Sequence, residues 1–311
     1  VRRAAIVALL LAAASAEAKP DVDDASDFWR DVLEPHGQTV AAILGNAKRA
    51  LAKAADDDES PTQRQRALAS AYGMLRHARA LAPEQPEVLA LLGYAADELG
   101  KAPDALEALE ACARIQGPER AGARVTGRLG MIYLRLGRLD DAVRWLRYAQ
   151  GPITIAEHAT AAVYLATALA ARGEMASAID VLGIAVPART SYYTDPVTLV
   201  SFALAVHYDR DEQPGAAFDT LDRMQATLQQ ELGNFAQRSF GLLRFAPPED
   251  RDYYQALLYE ALGATTEARA EWALYAQVPD APWRGRALQH IRLIDAQQRA
   301  APPTPHKLPV P

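Results

Sequence analysis

The chain has 311 residues, half of them hydrophobic but only 7% aromatic, with a single cysteine, Cys112, and a formal net charge of −6. That length fills one large domain or two; a lone cysteine excludes an internal disulfide, and the acidic balance gives no general attraction to nucleic acid or anionic lipid. Alanine, leucine and arginine are abundant. All three lose little side-chain entropy in a helix, and the alternating Val-Ile-Thr runs of a sheet are scarce.

The first twenty residues read VRRAAIVALLLAAASAEAKP. Arg2 and Arg3 precede an apolar run over Ala4–Ala14 and a small-x-small triplet, Ala16-Glu17-Ala18. This is the pattern of a secretory signal peptide over 1–18, and the run is shorter than the roughly 20 apolar residues of a spanning helix. The expected product is exported, periplasmic or secreted, and begins at Lys19. No cysteine follows the apolar run, which argues against a lipid anchor. Residues 19–25 read as a linker. Residues 26–82 read as N-terminal helices that include a first degenerate repeat: one near 26–34 before Pro35, then 38–55 and 62–81. The last two flank the acidic loop Asp56-Asp57-Asp58-Glu59-Ser60-Pro61.

From here one grammar recurs. LGYAADELGKAPDALEALEACA, LGMIYLRLGRLDDAVRWLRYA and LATALAARGEMASAIDVLGIA each read as a helix, a glycine, a short polar turn and a second helix opened by a small residue. That residue is Ala71, Ala105, Ala142, Ala178, Ala217 and Ala268, at steps of 34, 37, 36, 39 and 51 residues. Four positions later stand Leu75, Leu109, Leu146, Leu182, Leu221 and Trp272, and three further on Ala78, Cys112, Ala149, Ala185, Met224 and Tyr275. The turn glycine is Gly100, Gly137, Gly173 and Gly263. A Leu-Gly pair in the first helices appears as Leu92-Gly93 and Leu129-Gly130, softened to Leu165-Ala166 and Leu204-Ala205. The pattern resembles the tetratricopeptide repeat (TPR), a helix-turn-helix unit of about 34 residues.

The resemblance divides the rest of the chain. Residues 83–230 are TPR-like repeats, 231–248 an insertion ending in RFAPPED, and 249–299 a last repeat with a capping helix near 283–298. Pro247 and Pro248, followed by Glu249 and Asp250, read as a helix start with acids at its positive end. The proline-rich tail over 300–311 reads as disordered.

Sequence motifs for chemistry are lacking. There is no Walker-type phosphate loop, dinucleotide glycine motif, nucleophile elbow or HExxH. The six histidines are not spaced as helical metal ligands. His207, within SFALAVHYD, reads as a hydrogen-bonded structural residue. DRDEQPG over 209–215 has its glycine one position late for a calcium loop and no closing glutamate, and so reads as a turn. Cys112 occupies a small-residue slot and reads as a buried, inert thiol. Arg135, Arg138, Arg144 and Arg147 alternate with apolar positions beside Asp140 and Asp141, which fits a solvated helix face better than nucleic-acid stacking.

The resemblance implies an all-α fold, a right-handed α-solenoid of stacked TPR-like hairpins with a C-terminal capping helix. It also implies a concave groove lined by first helices that grips a protein or peptide. Carried onto this sequence, the groove residues are Tyr94 and Asp97, then Arg124, Met131 and Leu134, then Val163 and Thr167, then Phe202 and Val206, then Tyr253. Glu87, Asp209 and Leu257 share these faces. The lysines and asparagines with which some family members hold a peptide carboxylate are missing here, so the implied partner is an apolar peptide or an amphipathic helix. The same side chains could instead pack against neighbouring hairpins or the capping helix. No cofactor or metal is implied, and the expected function is a non-enzymatic scaffold. The alternatives are a self-assembling cell-envelope subunit and, more remotely, an enzyme with its site in 187–197 or 231–248. Export makes a direct prediction: intact mass of protein from the natural host should correspond to a chain starting at Lys19, and a retained 1–18 would refute it.

Overall fold

The computed structural model describes residues 36–56, 58–186, 193–228 and 231–300. The signal peptide, the linker, the helix near 26–34, positions 187–192 and the tail beyond Ala300 lie outside the described residues. Among those described, every regular element is a helix. The chain divides after Ile132 into two compact units.

Unit 1 holds α1 (Gly37–Ala54), α2 (Pro61–Leu81), α3 (Pro86–Glu98), α4 (Ala102–Gln116) and most of α5 (Gly122–Arg135). Helix α1 packs on α2, α2 on α3, and α3 on α4. The start of α2 is set locally. The Ser60 hydroxyl accepts from the Gln63 N–H while the Gln63 side chain accepts from the Ser60 N–H, with Pro61 at the first helical position. This reciprocal cap satisfies two amides that a helix start otherwise leaves open. It ends the acidic loop where the sequence expects.

Unit 2 holds the end of α5, then α6 (Leu139–Tyr148), α7 (Ala156–Ala171), α8 (Met175–Ala185), α9 (Asp195–Arg210) and α10 (Pro214–Leu228). It continues with α11 (Leu232–Phe240), α12 (Asp250–Ala261), α13 (Thr265–Gln277) and α14 (Arg284–Ala300). Hairpins form between α7 and α8, α9 and α10, and α12 and α13; α7 also packs on α6 and α9, and α14 on α13.

The repeat register is visible in burial. All six opening alanines and the six large apolar residues four positions later are at most 5% exposed. Small residues let two helices approach, and the large ones fill the space between them. Gly93 shows how close the approach is: a Cβ there would stand 2.4 Å from Leu109 Cγ, a side chain itself only 1% exposed. These hairpins are TPR-like in register and in connection.

The turns between hairpin arms repeat one geometry. Gly100, Gly137, Gly173 and Gly263 all have positive φ, between 69° and 82°. Each donates its N–H three residues back, and the next residue donates five back, as in Lys101 N to Ala96 O and Ala264 N to Tyr259 O. This is the helix C-terminal pattern that favours glycine, because a Cβ is strained in the left-handed region. The fifth turn uses the same bonds, Glu212 N to Asp209 O and Gln213 N to Tyr208 O, but places Glu212 at φ 57°. So the 209–215 segment is a hairpin turn in which glutamate occupies the glycine slot. Replacing Glu212 by glycine should therefore stabilise the protein by about 1 kcal/mol, the scale of the left-handed penalty. The expected signature is a higher urea midpoint at unchanged slope.

Candidate functional site

The predicted groove residues have two fates. In unit 1, α3 and α5 present Glu87, Tyr94 and Arg124 with accessible side chains, whereas Asp97 and Met131 are buried. Arg128, one turn beyond Arg124, organises this face. Its guanidinium lies 4.3 Å from the centre of the Tyr94 ring and donates to Asp97 Oδ2 at 2.5 Å and Glu98 Oε1 at 3.1 Å. Burial opposes the charge of Arg128, but the two carboxylates outweigh that and raise its pKa. Sequence reading missed Arg128 because it lies next to the groove register and not on it. The available signal was a cation one repeat after an Asp-Glu pair.

Beside this face unit 1 has a cleft of about 850 Å³. One wall is a stripe of α1, Val40, Ala41, Leu44, Gly45 and Lys48; the other is the α2–α3 connection from Leu81 to Glu87. Lys48 Nζ and Glu87 Oε1 pair at 2.6 Å across its end. The walls are apolar aliphatics and prolines, and the rim is charged.

In unit 2 the expected apolar groove is filled. Leu134, Val163, Phe202, Val206 and Tyr253 are each at most 7% exposed. Thr167 is half-buried and donates its hydroxyl to the Val163 carbonyl at 2.9 Å. Part of this cover comes from the 231–248 insertion, which forms α11 and packs on α9. Phe240 packs 5.1 Å from Phe202 and 5.5 Å from Tyr254; Phe245 packs 5.1 Å from Tyr254, and the Arg244 N–H donates to the Tyr164 hydroxyl at 2.8 Å. For these side chains the groove reading gives way to core packing. An apolar stripe is buried by whatever the chain supplies, and here Phe240 and Phe245 of the insertion are part of that cover.

Further along, unit 2 carries a buried polar cluster. Asp209 on α9 accepts from the Tyr253 hydroxyl at 2.6 Å, from Arg286 at 2.6 and 3.2 Å, and from His290 at 3.1 Å. Burial alone would raise its carboxyl, but the bonds from His290, Arg286 and Tyr253 hold it well below the ordinary range. Next to it Arg210 pairs with Asp250 at 2.7 Å and lies 4.5 Å from the Tyr253 ring. Burial raises the Asp250 carboxyl in spite of that arginine. His207 is buried on the same helix, with Nδ1 on the Ala203 carbonyl at 2.8 Å, and burial pushes its pKa down to about 3, so it is neutral. Cys112 is 1% exposed, and burial raises its thiol.

Among the described residues no group of three or more His, Cys, Asp or Glu is arranged to hold a metal, and no helix is long and apolar enough to cross a membrane. No protein-family model matches the chain, and no curated protein matches it by sequence. Several solved structures do resemble it. PilW, described as a widely conserved type IV pilus biogenesis factor, is 16% identical with a TM-score of 0.48, over 81% of this chain and 99% of that one. A kinesin light chain from Podosopora anserina with nearly identical TPR-like repeats is 19% identical with a TM-score of 0.49, over 62% and 96%. MamA MSR-1 is 20% identical with a TM-score of 0.45, over 67% and 99%.

The two fates of the groove residues separate under mutation. Phe202→Ala should cost about 3–5 kcal/mol, as for deletion of a packed core aromatic. Tyr94→Ser should cost about 1 kcal/mol, the scale of its cation–π contact. Denaturant unfolding of both variants checks the assignment.

Proposed function

We propose that the chain is a non-enzymatic binding scaffold, exported from the cell, that holds a protein or peptide partner on unit 1. The cleft along α1 carries this reading. Val40, Leu44, Leu81, Pro83 and Pro86 offer an apolar floor for an anchor side chain, and the Lys48–Glu87 pair supplies a polar rim. Tyr94 and Arg128 on α3 and α5 extend the same surface chemistry with an aromatic ring and a fixed guanidinium, and Arg124 adds a second cation. The partner that fits is a segment with one or two apolar anchors flanked by charge. The apolar stripe of α9 and α12 is covered within the chain by Phe240 and Phe245, whereas the cleft of unit 1 stands open. The signal-like character of residues 1–18 supports export.

Gly45 gives a clean test. It lines the cleft, and a Cβ there would meet only Arg49 Nη1, at 3.8 Å. Gly45→Trp, whose Cβ the backbone accepts there, should project its indole at the cleft while losing the backbone freedom that disfavours glycine in a helix. Partner captured by the wild-type protein from a cell-envelope extract should be lost with Gly45→Trp at unchanged or higher melting temperature. Capture should persist with Phe218→Ser, a change at an exposed position of α10. Undiminished capture by Gly45→Trp would overturn the assignment.

A further inference from the structure

Helix α14 is fastened to unit 2 by a bond arrangement with a definite proton requirement. His290 Nδ1 lies 2.8 Å from Glu260 Oε2 on α12, and Nε2 lies 3.1 Å from both carboxylate oxygens of Asp209 on α9. A neutral imidazole has one N–H and one lone pair. In either tautomer one of the two carboxylates would face that lone pair at hydrogen-bonding distance. Only the doubly protonated ring donates to both. The Trp272 indole from α13 stacks on the ring at 4.3 Å and 16°, which leaves His290 only 7% exposed and unable to turn to solvent in place.

Beyond His290, α14 is held by Arg284, which donates to the Ala276 carbonyl of α13 at 2.8 Å, and by the contacts that follow. Of α14, Ala287, His290 and Ile294 are buried. Arg286 donates to Asp209, and Arg269 on α13 pairs with Asp295 at 2.6 Å at an exposed position. Such exposed pairs contribute little.

We propose that α14 is a proton-controlled latch: it stays docked while His290 bridges Asp209 and Glu260 as an imidazolium, and loss of that proton releases the helix ahead of the rest of unit 2, uncovering the surface that carries Asp209, Tyr253 and Glu260.

The electrostatics agree with the geometry. Burial opposes the charge on His290, but the hydrogen bonds to Asp209 and Glu260 outweigh it and push its pKa up to about 9 from an ordinary 6.5. The docked ring thus keeps its proton up to about pH 9, whereas a released ring loses it near 6.5. The latch is at full strength below 6.5 and is lost as pH rises through 9. Between these limits opening releases one proton, so the opening constant grows on the order of tenfold per pH unit and levels off above. The other charged groups facing α14 are Asp209 and Arg210 from α9, Glu212 after it, Tyr253 and Glu260 from α12, and Arg269 from α13. Arginines keep their charge throughout. Tyr253 is raised well above 10 by burial and by Asp209. Asp209 is held below its usual value by its donors, and Asp295 on α14 itself is held below its own by Arg269. The bridge itself requires the second proton of His290, whose two ring nitrogens face carboxylates.

Hydrogen exchange of the full chain between pH 6.5 and 9, expressed as protection relative to the intrinsic rate, tests this. Peptides from α14 should lose protection by up to about tenfold per pH unit while those from α7 and α9 do not change. His290→Gln, which cannot titrate, should leave α14 weakly protected at every pH and abolish the slope. Glu260→Gln should do the reverse. Its amide N–H can donate to Nδ1 of the neutral ring, so α14 should remain docked at pH 9 with a reduced slope. A loss of protection shared by all of unit 2, a slope that survives His290→Gln, or an unchanged slope in Glu260→Gln would overturn the latch.

Discussion

Every hairpin of this protein exposes more apolar surface than it can cover by itself. A helix pair whose small residues face large ones, as Gly93 faces Leu109, is closely joined within the pair but still leaves an apolar stripe on its outer sides. The stripe has to be covered by a neighbouring element. That requirement sets which residues are core and which elements must be adjacent. It also decides which surfaces remain for recognition.

In unit 2 the requirement is met in two chemically different ways. The stripe of α9 and α12 is covered by aromatic rings from the 231–248 insertion, a non-directional contact that depends on shape and area. The neighbouring ends of α9 and α12 are covered by α14 through directional, charged bonds centred on Asp209. Buried ion pairs of this kind are expensive to desolvate, and an apolar replacement of equal shape is often as stable. What they add is selectivity: Asp209 accepts one tyrosine, one arginine and one histidine, and few other helices could offer those donors in that order. The aromatic cover is insensitive to pH, whereas the polar cover depends on one proton at His290.

Much of this was legible in the sequence, and the reason is the rigidity of the repeat. The alanine register and the turn glycines are dictated by close approach and by the left-handed turn, both local requirements that only a few residue types satisfy. That is why Ala71 to Ala268 are buried, and why Gly100, Gly137, Gly173 and Gly263 share one φ region. The groove was less legible. Val163, Phe202, Val206 and Tyr253 have the spacing of an exposed face, but spacing states only that a face is apolar and not what lies on it. The covering element, α11, comes from a segment outside the repeat register, so no periodic signal connects Phe240 to Phe202. His290 and Arg286 were equally silent, being ordinary surface-type residues of a helix until Asp209, 81 residues before His290, is placed beside them. The DRDEQPG segment, one glycine position away from a calcium loop, reads as a turn and forms one. Its first residue, Asp209, accepts from Tyr253, Arg286 and His290.

The same reasoning separates recognition from structure in unit 1. Arg128 is bound on three sides, by Tyr94, Asp97 and Glu98, so its guanidinium is fixed before any partner arrives. Fixing an arginine beforehand removes much of the entropy loss that a free one would suffer on binding. The cleft beside α1 is likewise framed by two helices and a proline-bearing turn, elements with little freedom to close. A partner meeting this surface would find its apolar contacts and its charged contacts already in position. Affinity would then depend on how well the partner's own anchors match the cleft, and less on rearrangement of the scaffold.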